Sequence, residues 1–306
     1  MEIKIKDKIE NNNFKTNFLQ TEEWAYFKNK EGWSYFFLHF YKNKELLGYT
    51  VLLEKKEKFF KINYVPRGPI VSKISDLSSI LPLIKDFSKK RGAHLLKIEP
   101  DLEFSDENLK YFSSYKSVKD FYQPIQTAII YLEDDLIKNI PSKKRGRIRN
   151  KENLIFRETQ ELDNFYKIYK STFENKNFKG RGEEYFYNMK EIFKDRMKIF
   201  EVLKDNEVIS ASVNILNGDT ITYLYSGSLK EYNNLYPGYL LVYNTALYAK
   251  EKGFKNFDLW GISDENEKWK GFSEFKMNLG GKPFRFLGSF DFIFNSLYYS
   301  IYKSVK

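Results

Sequence analysis

An internal duplication constrains the fold of this chain more than any other feature of the sequence. The segment Lys42–Leu47 (KNKELL) is matched in residue types by Lys204–Ile209 (KDNEVI), 162 residues further on. Each segment is a turn between two strand-like runs. Phe87–Gly92 is matched by Tyr248–Gly253 at an offset of 161, and both end a helix with basic residues and a capping glycine. Because the offsets agree, we predict two related units, each with the order hairpin, strand, helix, strand.

This order predicts an α/β (α+β) fold with a mixed sheet in each unit. Antiparallel hairpin strands precede a crossover helix and a further strand, so helices should flank each sheet. The apolar strand Thr127–Leu132 is expected to close the first unit, and Pro141-Ser142 is expected to open a helix of the second. The predicted domains are 1–134 with 288–306, where the tail supplies a strand and a packed helix, and 135–287.

Composition excludes several kinds of chemistry. The 306 residues include no cysteine and only two histidines, which rules out disulfides, cysteine nucleophiles, thiolate metal sites and a three-histidine zinc site. No metal site is predicted. The net charge of +10 suits a polyanionic partner without identifying one. Met1–Glu10 lacks the apolar run of a signal peptide, and Phe284–Tyr302 is too polar for a membrane span, so a cytoplasmic location is expected.

Two candidate binding residues lie in the first half of the sequence. Lys28 follows Trp24 by one turn in a predicted helix that is capped by Thr21. Arg67 lies in Tyr64–Pro69, where two prolines and a glycine restrain a turn at a strand end. Taken alone, Lys28 is more often a surface lysine beside a buried tryptophan, whereas the restrained turn is equally compatible with a structural and a functional role.

The second half contains further basic candidates. The segment 143–151 has six cations and no acid, namely Lys143, Lys144, Arg145, Arg147, Arg149 and Lys151. A helix there would present positive charge on several faces and could bind the phosphates of a nucleic acid, a nucleotide or a lipid head group, although a solvated basic helix is an equal alternative. Arg181, in the loop Phe178–Gly182, precedes a predicted helix and could meet an anion near its N-terminus.

A lysine near the C-terminus is the candidate for catalysis. Phe272, Phe275 and Leu279 form an apolar stripe of a predicted helix, and Lys276 lies at its margin. A partly desolvated ammonium at such an edge can stabilise an oxyanion, whereas an ordinary snorkelling lysine is the more frequent case without further context.

In combination and order, these motifs resemble the FemABX family of peptidoglycan peptidyltransferases over nearly the whole chain. The motifs are Trp-x-x-x-Lys (24–28), Tyr-x-Pro-Arg-Gly-Pro (64–69), Lys-Ile-Glu-Pro-Asp (97–101), Pro-Ser-Lys followed by cations (from 141), Tyr-x-Tyr-x-Gly-Ser (223–228) and Gly-Phe-x-x-Phe-Lys-x-x-x-Gly-Gly (271–281). The resemblance implies two tandem GNAT-like acyltransferase domains. It also implies transfer of an amino acid (Gly, Ala or Ser) from aminoacyl-tRNA to the stem-peptide amine of UDP-MurNAc-pentapeptide or lipid II.

The resemblance also implies roles for individual residues. Lys28 and Arg181 match positions that contact the phosphates of the precursor in short family members, and Arg67 matches a basic residue near that pocket. Lys276 of the Phe275-Lys276 motif matches the lysine implicated in aminoacyl transfer. The remaining positions are Glu99, which replaces an acidic residue once considered as a base, the pocket tyrosines Tyr185 and Tyr225, and Phe275, which is expected to bind substrate. The basic run from Lys143 is assigned to tRNA or phosphate.

Two departures from the family pattern matter for its partners. At 306 residues the chain has no room for the long helical hairpin of staphylococcal-type members, and His94 stands where a relative has a pocket tyrosine. No cofactor is expected, because the aminoacyl ester of the co-substrate is already activated and its transfer needs no covalent enzyme intermediate. No DNA partner is expected, and peripheral contact with the inner face of the membrane is a further option.

Two other functions remain open from the sequence. An acetyl-CoA-dependent N-acetyltransferase would have the same fold, although Asn233–Tyr239 lacks the paired small residues of a pyrophosphate loop. A non-enzymatic RNA-binding protein would explain the basic run and the many tyrosines. It would not explain the Pro-Arg-Gly-Pro turn and the Phe-Lys motif together.

Overall fold

The structure is a computed structural model that describes residues 1–10, 12–57, 59–149, 153–175 and 180–305. The strands in chain order are β1 (Glu2–Lys6), β2 (Ser34–Lys42), β3 (Glu45–Glu57), β4 (Phe60–Pro66), β5 (Ile70–Val71), β6 (Leu95–Glu99), β7 (Lys116–Val118), β8 (Gln126–Tyr131), β9 (Leu154–Thr159), β10 (Met197–Lys204), β11 (Glu207–Asn217), β12 (Thr220–Ser228), β13 (Asn256–Gly261), β14 (Lys282–Arg285) and β15 (Ser289–Ile293). The α-helices are α1 (Glu22–Lys30), α2 (Leu77–Lys90), α3 (Asp106–Leu109), α4 (Leu136–Asn139), α5 (Asp163–Asn175), α6 (Glu183–Phe193), α7 (Pro237–Glu251), α8 (Lys270–Met277) and α9 (Ser296–Val305).

The chain divides into two compact units. Unit 1 comprises 1–125 and 285–306, and unit 2 comprises 126–284. The first boundary therefore precedes the expected position between 134 and 135. The reason is that β8, which was expected to close the first unit, pairs antiparallel with β13 of the second sheet. The second boundary also falls slightly earlier than residue 288, because Phe286 already forms a β-bridge with Glu103 of unit 1.

The two sheets repeat one topology. The order in unit 1 is β1-β2-β3-β4-β6-β15-β7, with β5 paired to β3, and the order in unit 2 is β14-β8-β13-β12-β11-β10-β9. In each sheet a hairpin and a third antiparallel strand lead through a helix to a parallel strand, since β4 pairs parallel with β6 and β12 pairs parallel with β13. The other neighbour of this parallel strand is antiparallel to it: β15 lies beside β6 in unit 1, and β8 lies beside β13 in unit 2. The predicted mixed sheets flanked by helices are confirmed.

The duplicated turns agree in backbone conformation. Asn43 and Lys44 have φ of 49° and 69°, and their counterparts Asp205 and Asn206 have φ of 49° and 67°. Two successive residues with positive φ are the mark of a tight hairpin turn whose twist matches that of its strands. The register of each hairpin also shifts at the same relative place, after Phe40 in one and after Val202 in the other. The internal duplication is therefore a structural one.

Each unit has its own core beneath its crossover helix. In unit 1 the buried residues of α2 recur at the spacing of one helical face and pack on the sheet: Leu77, Ile80, Leu81 and Ile84. In unit 2 helix α7 packs in the same way through Leu241, Val242, Ala246 and Ala249. Within the described ranges, no helix is both long enough and apolar enough to cross a bilayer.

Candidate active site

Lys276 lies in the last turn of α8, and its ammonium points to the carboxyl end of β13. Its Nζ donates a hydrogen bond to the carbonyl oxygen of Gly261 at 2.7 Å and lies 5.2 Å from the centre of the Phe272 ring. Pairing between β12 and β13 stops at Thr222 and Asp258, before either strand ends. The carboxyl end of a strand that loses its neighbour is a common place for a ligand, so Lys276 occupies a position suited to catalysis.

Burial changes the acid-base properties of this lysine. It lowers the pKa of Lys276 from 10.5 to about 8, and the negative charge of Asp258 partly opposes this effect. At pH 7 about nine tenths of the side chain would still be charged. A charged group that is largely shielded from water interacts strongly with an opposite charge that develops nearby. Lys276 can therefore stabilise an oxyanion at neutral pH.

The two glycines after α8 are required by the position of this helix. Gly280 has a φ of 87°, which ends the helix in the left-handed conformation. A Cβ atom on Gly281 would lie 2.9 Å from the carbonyl oxygen of Lys276 and 2.9 Å from the Cβ of Ala128. The Gly-Gly pair of the motif thus lets the last turn of α8 approach β8 and fixes the backbone of Lys276.

An acidic residue orders the strand end that faces Lys276. Asp258 accepts a hydrogen bond from the backbone N–H of Trp260 at 2.8 Å and another from the hydroxyl of Thr127. Trp260 has a φ of 64°, an uncommon value for a side chain of this size. Asp258 was not identified from the sequence, although its place two residues before Trp260-Gly261 was a usable signal. Its contacts hold the turn that directs the Gly261 carbonyl toward the Lys276 ammonium.

Phe275 connects the Phe-Lys motif to the basic segment. Its ring meets the ring of Tyr239 edge-on, with centres 5.1 Å apart. The hydroxyl of Tyr239 accepts a hydrogen bond from the guanidinium of Arg147 at 2.6 Å, and that group lies over the rings of Tyr236 and Tyr239. Arg147 is therefore held in place next to α7.

The basic segment is less helical than expected. Ser142–Arg147 forms a 3-10 turn instead of an α-helix, and Arg149 is exposed beyond it. Arg145 donates to the carbonyls of Ile140 and Lys138 at 2.9 and 3.0 Å, which satisfies the end of α4. Lys143 and Lys144 line a cavity of unit 2. Lys151 lies outside the described residues.

The predicted pocket residues of the second half lie together in unit 2. The hydroxyls of Tyr185 and Tyr225 are 2.9 Å apart, and the Arg181 guanidinium lies 5.1 Å from the centre of the Tyr185 ring. Tyr169 of α5 completes the group, because its hydroxyl accepts a hydrogen bond from the Arg181 backbone N–H at 3.2 Å. Burial raises the pKa of Tyr225, so the phenol stays neutral at physiological pH. Sequence reasoning missed Tyr169, which comes from the apolar face of another helix. Phe178 and Lys179 of the preceding loop lie outside the described residues.

Lys28 lies in an aromatic environment in unit 1. Its ammonium is 5.8 Å from the ring centres of Trp24 and Trp33 and 5.9 Å from that of Phe27. The indole N–H of Trp24 is buried and has no hydrogen-bond partner among the described residues. Since a buried donor normally finds an acceptor, the unused indole N–H is an unusual feature beside the Lys28 ammonium.

Arg67 and Glu99 are more buried than surface binding residues. Arg67 is 1% exposed, donates to the carbonyl of Pro124 and stacks 3.5 Å from the centre of the Phe286 ring. The carboxylate of Glu99 accepts a hydrogen bond from the Tyr64 hydroxyl at 2.5 Å. It accepts two more from the backbone N–H groups of residues 122 and 123, with distances of 2.6 and 3.0 Å. Burial and the Glu99 charge raise the pKa of Tyr64 well above its usual value. Both side chains thus hold the loop that precedes β8.

His94, just before β6, packs against aromatic rings of β4 and α9. Its ring stacks on the ring of Tyr298 with centres 4.1 Å apart, and its Nδ1 accepts a hydrogen bond from the backbone N–H of Lys61 at 3.0 Å. Burial lowers the pKa of His94, with a further lowering by the charge of Lys61, which favours the neutral form that this hydrogen bond needs. These contacts give His94 a role in packing α9 on unit 1.

The fold of the chain belongs to the tandem GNAT-like class. A tandem GNAT protein from the clavulanic acid biosynthesis pathway superposes with a TM-score of 0.57 at 10% identity, covering 86% of this chain and 83% of that one. A crystal structure of FemX superposes with a TM-score of 0.84 at 21% identity, covering 93% of this chain and 94% of that one.

Within this class the sequence identifies the family. The chain belongs to the FemAB family, whose sequence profile matches residues 6–123, 113–204 and 200–306. A lipid II:glycine glycyltransferase of Staphylococcus aureus (strain USA300) is 23% identical over 383 aligned positions, which cover 95% of this chain and 91% of that protein. Because the alignment is longer than this chain, the relative carries residues in the matched region that this chain lacks.

Proposed function

We propose that this protein transfers an amino acid from aminoacyl-tRNA to the side-chain amine of a peptidoglycan precursor's stem peptide. Membership of the FemAB family and the glycyltransferase name of its staphylococcal relative support the reaction class. The observation that carries the proposal is the ammonium of Lys276, partly desolvated and held on the Gly261 carbonyl at the open end of β13. A residue of this kind suits transfer through a tetrahedral oxyanion.

The chemistry needs little beyond positioning and charge. The acceptor amine attacks the carbonyl carbon of the ester, the carbon–nitrogen bond forms, and the carbonyl oxygen becomes an oxyanion beside Lys276. The bond to the 3′-oxygen of the tRNA then breaks, and that oxygen takes the proton that the amine loses. Because the ester is already activated, the step requires no covalent enzyme intermediate. Lys276 stays protonated throughout and contributes charge.

Anionic parts of the precursor require cations outside the Lys276 site. Lys28 in unit 1 and Arg181 in unit 2 are proposed as two separate phosphate-binding candidates, each argued from the aromatic surroundings in its own unit. Tyr185 and Tyr225 present neutral hydroxyls next to Arg181, which suits hydrogen bonding to a sugar or an amide. Phe275 acts through packing, since it fixes α8 against Tyr239.

The contacts of Glu99 and Arg67 support positioning roles for both. Three donors already occupy the Glu99 carboxylate, so it is proposed to hold the loop at 122–123 and to leave proton transfer to the substrates. Arg67 is proposed to support the same loop through Pro124. The acceptor amine then has to arrive deprotonated, which makes the reaction faster as pH rises toward the pKa of that amine.

A transfer assay with defined substrates tests the proposal. The protein is incubated with glycyl-, alanyl- or seryl-tRNA and with either UDP-MurNAc-pentapeptide or lipid II, and the precursor mass is measured. An increase by one aminoacyl residue is expected for one tRNA and one acceptor. Acetylation of an amine from acetyl-CoA without tRNA-dependent transfer would favour the acetyltransferase alternative, and RNA binding without any transfer would favour an RNA-binding protein.

A further inference from the structure

Three large apolar side chains are exposed at one end of the unit 1 sheet. Phe59, in the turn between β3 and β4, is 79% exposed, and Leu297 and Ile301 of α9 are 69% and 49% exposed. Leu297 and Ile301 are four residues apart and so share one face of α9. Phe60, the neighbour of Phe59, stacks on Tyr302 of the same helix with ring centres 4.9 Å apart. Grouped exposed apolar side chains mark interaction surfaces, and we call Phe59, Leu297 and Ile301 the apolar corner.

The opposite face of α9 is anchored to unit 1. The hydroxyl of Tyr299 donates a hydrogen bond to the carboxylate of Asp291 at 3.0 Å, and the hydroxyls of Tyr302 and Tyr122 are 2.7 Å apart. Helix α9 contains no acidic residue, and serines flank the two aliphatic side chains on its outward face. The outward face is therefore held in a fixed direction and combines aliphatic with small polar side chains, as helices that lie on a membrane surface do.

Lysines lie at the same end of the sheet as the apolar corner. The ammonium of Lys61 in β4 donates a hydrogen bond to the carbonyl of Arg91 at 2.8 Å, which brings the basic end of α2 to the β3–β4 hairpin. Lys56, Lys89 and Lys90 are exposed, and within the described part of the chain these three ammonium groups have no carboxylate partner. An anionic bilayer attracts lysines that are held near its surface. A second copy of the chain would bring the same cations, so the charge favours a bilayer over self-association.

A series of aromatic contacts connects the candidate phosphate-binding residue Lys28 with α9. The Lys28 ammonium lies 5.8 Å from the ring centre of Trp33, which lies 6.2 Å from that of Tyr64. The ring centres of Tyr64 and Tyr122 are 5.0 Å apart, and the Tyr122 hydroxyl meets that of Tyr302 on α9. In a lipid-linked precursor the diphosphate directly joins the sugar to the hydrocarbon chain. A diphosphate bound by Lys28 would therefore have its lipid close to the face of unit 1 that α9 covers.

We propose that the apolar corner docks unit 1 on an anionic phospholipid bilayer. Phe59, Leu297 and Ile301 enter the boundary between head groups and acyl chains, and the lysines of β3 and α2 pair with lipid phosphates. Docking brings Lys28 toward the plane in which the diphosphate of a lipid-linked acceptor lies. The proposal rests on the proposed function and deepens it, because it assigns to this surface the capture of an acceptor that is embedded in a membrane.

Vesicle binding tests the proposal directly. Flotation with vesicles of phosphatidylglycerol and phosphatidylethanolamine, and with vesicles of phosphatidylcholine alone, gives apparent dissociation constants at one salt concentration. The unaltered protein should prefer the anionic vesicles, and Leu297→Ser with Ile301→Ser should weaken that binding about tenfold or more through loss of inserted apolar area. Lys89→Glu with Lys90→Glu should weaken binding to the anionic vesicles about tenfold or more and leave binding to phosphatidylcholine unchanged.

Ile5→Ser with Ile74→Ser is the matched control for the α9 variant. Ile5 and Ile74 are 59% and 43% exposed in the same unit; Ile5 lies on the edge strand β1, and Ile74 precedes α2 at the helix end opposite to its lysines. The control should change vesicle binding less than about twofold. The proposal is overturned if the α9 variant binds vesicles like this control, or if the unaltered protein does not prefer anionic vesicles. A dimer that the α9 variant dissociates, without any vesicle binding, would assign the apolar corner to a second copy and also overturn it.

Transfer to two forms of the acceptor separates this proposal from the proposed function. With a soluble acceptor, UDP-MurNAc-pentapeptide or lipid II in detergent, the α9 variant should keep the unaltered rate within about twofold. With lipid II in anionic vesicles, its apparent KM should rise about fivefold or more, because membrane capture is lost. Transfer to a soluble acceptor without vesicle binding rejects the docking surface alone. Absence of transfer with every donor and acceptor rejects the proposed function, whatever the vesicles show.

Discussion

Replacing Lys276 by Met removes the proposed oxyanion-stabilising charge and should act on turnover. The lowering of its pKa from 10.5 to about 8 corresponds to a cost of about 3 kcal/mol for the charged form in the folded protein. An oxyanion beside the ammonium recovers interaction energy of this order only as the transition state forms. Since about 1.4 kcal/mol is a factor of ten, we expect kcat to fall about 100-fold or more.

The assay separates turnover from binding. Initial rates of transfer give kcat, and equilibrium titration of the precursor gives its dissociation constant, which should change less than about twofold because Lys276 is not assigned to precursor binding. Lys268→Met, at an exposed lysine just before α8, is the matched control and should keep both values. Losses of equal size in kcat and in precursor affinity would refute the assignment of Lys276 to the oxyanion.

The pH dependence of kcat tests the role of Lys276 independently. Lys276 loses its proton as pH rises through about 8, so the high-pH limb of kcat should fall there. Lys276→Arg keeps its charge at all accessible pH values and should lose this limb, even if its maximal rate is lower. Since the unfolded chain binds the proton up to about pH 10.5, the free energy of unfolding should rise between pH 8 and 10.5. A limb that stays at the same pH in Lys276→Arg would contradict this assignment.

Three further changes test other parts of the structure. Arg181→Ala should raise the dissociation constant of the precursor about tenfold or more through loss of a charged contact, with kcat at saturation little changed, as steady-state kinetics would show. Gly281→Ala should lower kcat, because its Cβ would lie 2.9 Å from Ala128 and displace the end of α8; an unchanged kcat would mean that this approach is not needed. Lys97→Met should lower the free energy of unfolding by about 3–5 kcal/mol in urea, since it leaves Asp291 buried without its partner at 2.7 Å, and adding Asp291→Leu should restore most of that loss.

The sequence was most informative where local chemistry determines the backbone. The turns at Asn43-Lys44 and Asp205-Asn206 were recognisable because each contains Asn or Asp, which tolerate positive φ, between two strand-like runs, and both turns have positive φ in the structure. The basic C-termini of α2 and α7, each followed by a glycine, were recognisable for a similar reason. These local signals were sufficient to predict that each half of the chain forms a similar mixed sheet.

The sequence was least informative where distant segments meet. Strand β8 was expected in the first unit, but its partner is β13, and no local pattern specifies the partner of an apolar strand. Tyr169 joins Tyr225 only because α5 packs on β12, and a tyrosine within an amphipathic helix gives no sign of that contact. The short 3-10 turn at Ser142–Arg147 was also not predicted, because a run of cations does not distinguish it from an α-helix; in the structure Arg145 binds the carbonyls of Ile140 and Lys138.

The most direct test of the central claim is mass spectrometry of the precursor after incubation with aminoacyl-tRNA, with the unaltered protein and Lys276→Met assayed side by side. The account predicts that the unaltered protein adds one aminoacyl residue to the stem-peptide amine, and that Lys276→Met gives the same product about 100-fold or more slowly. It would be contradicted if the precursor stays unmodified with every donor and acceptor, or if Lys276→Met transfers the residue at the unaltered rate.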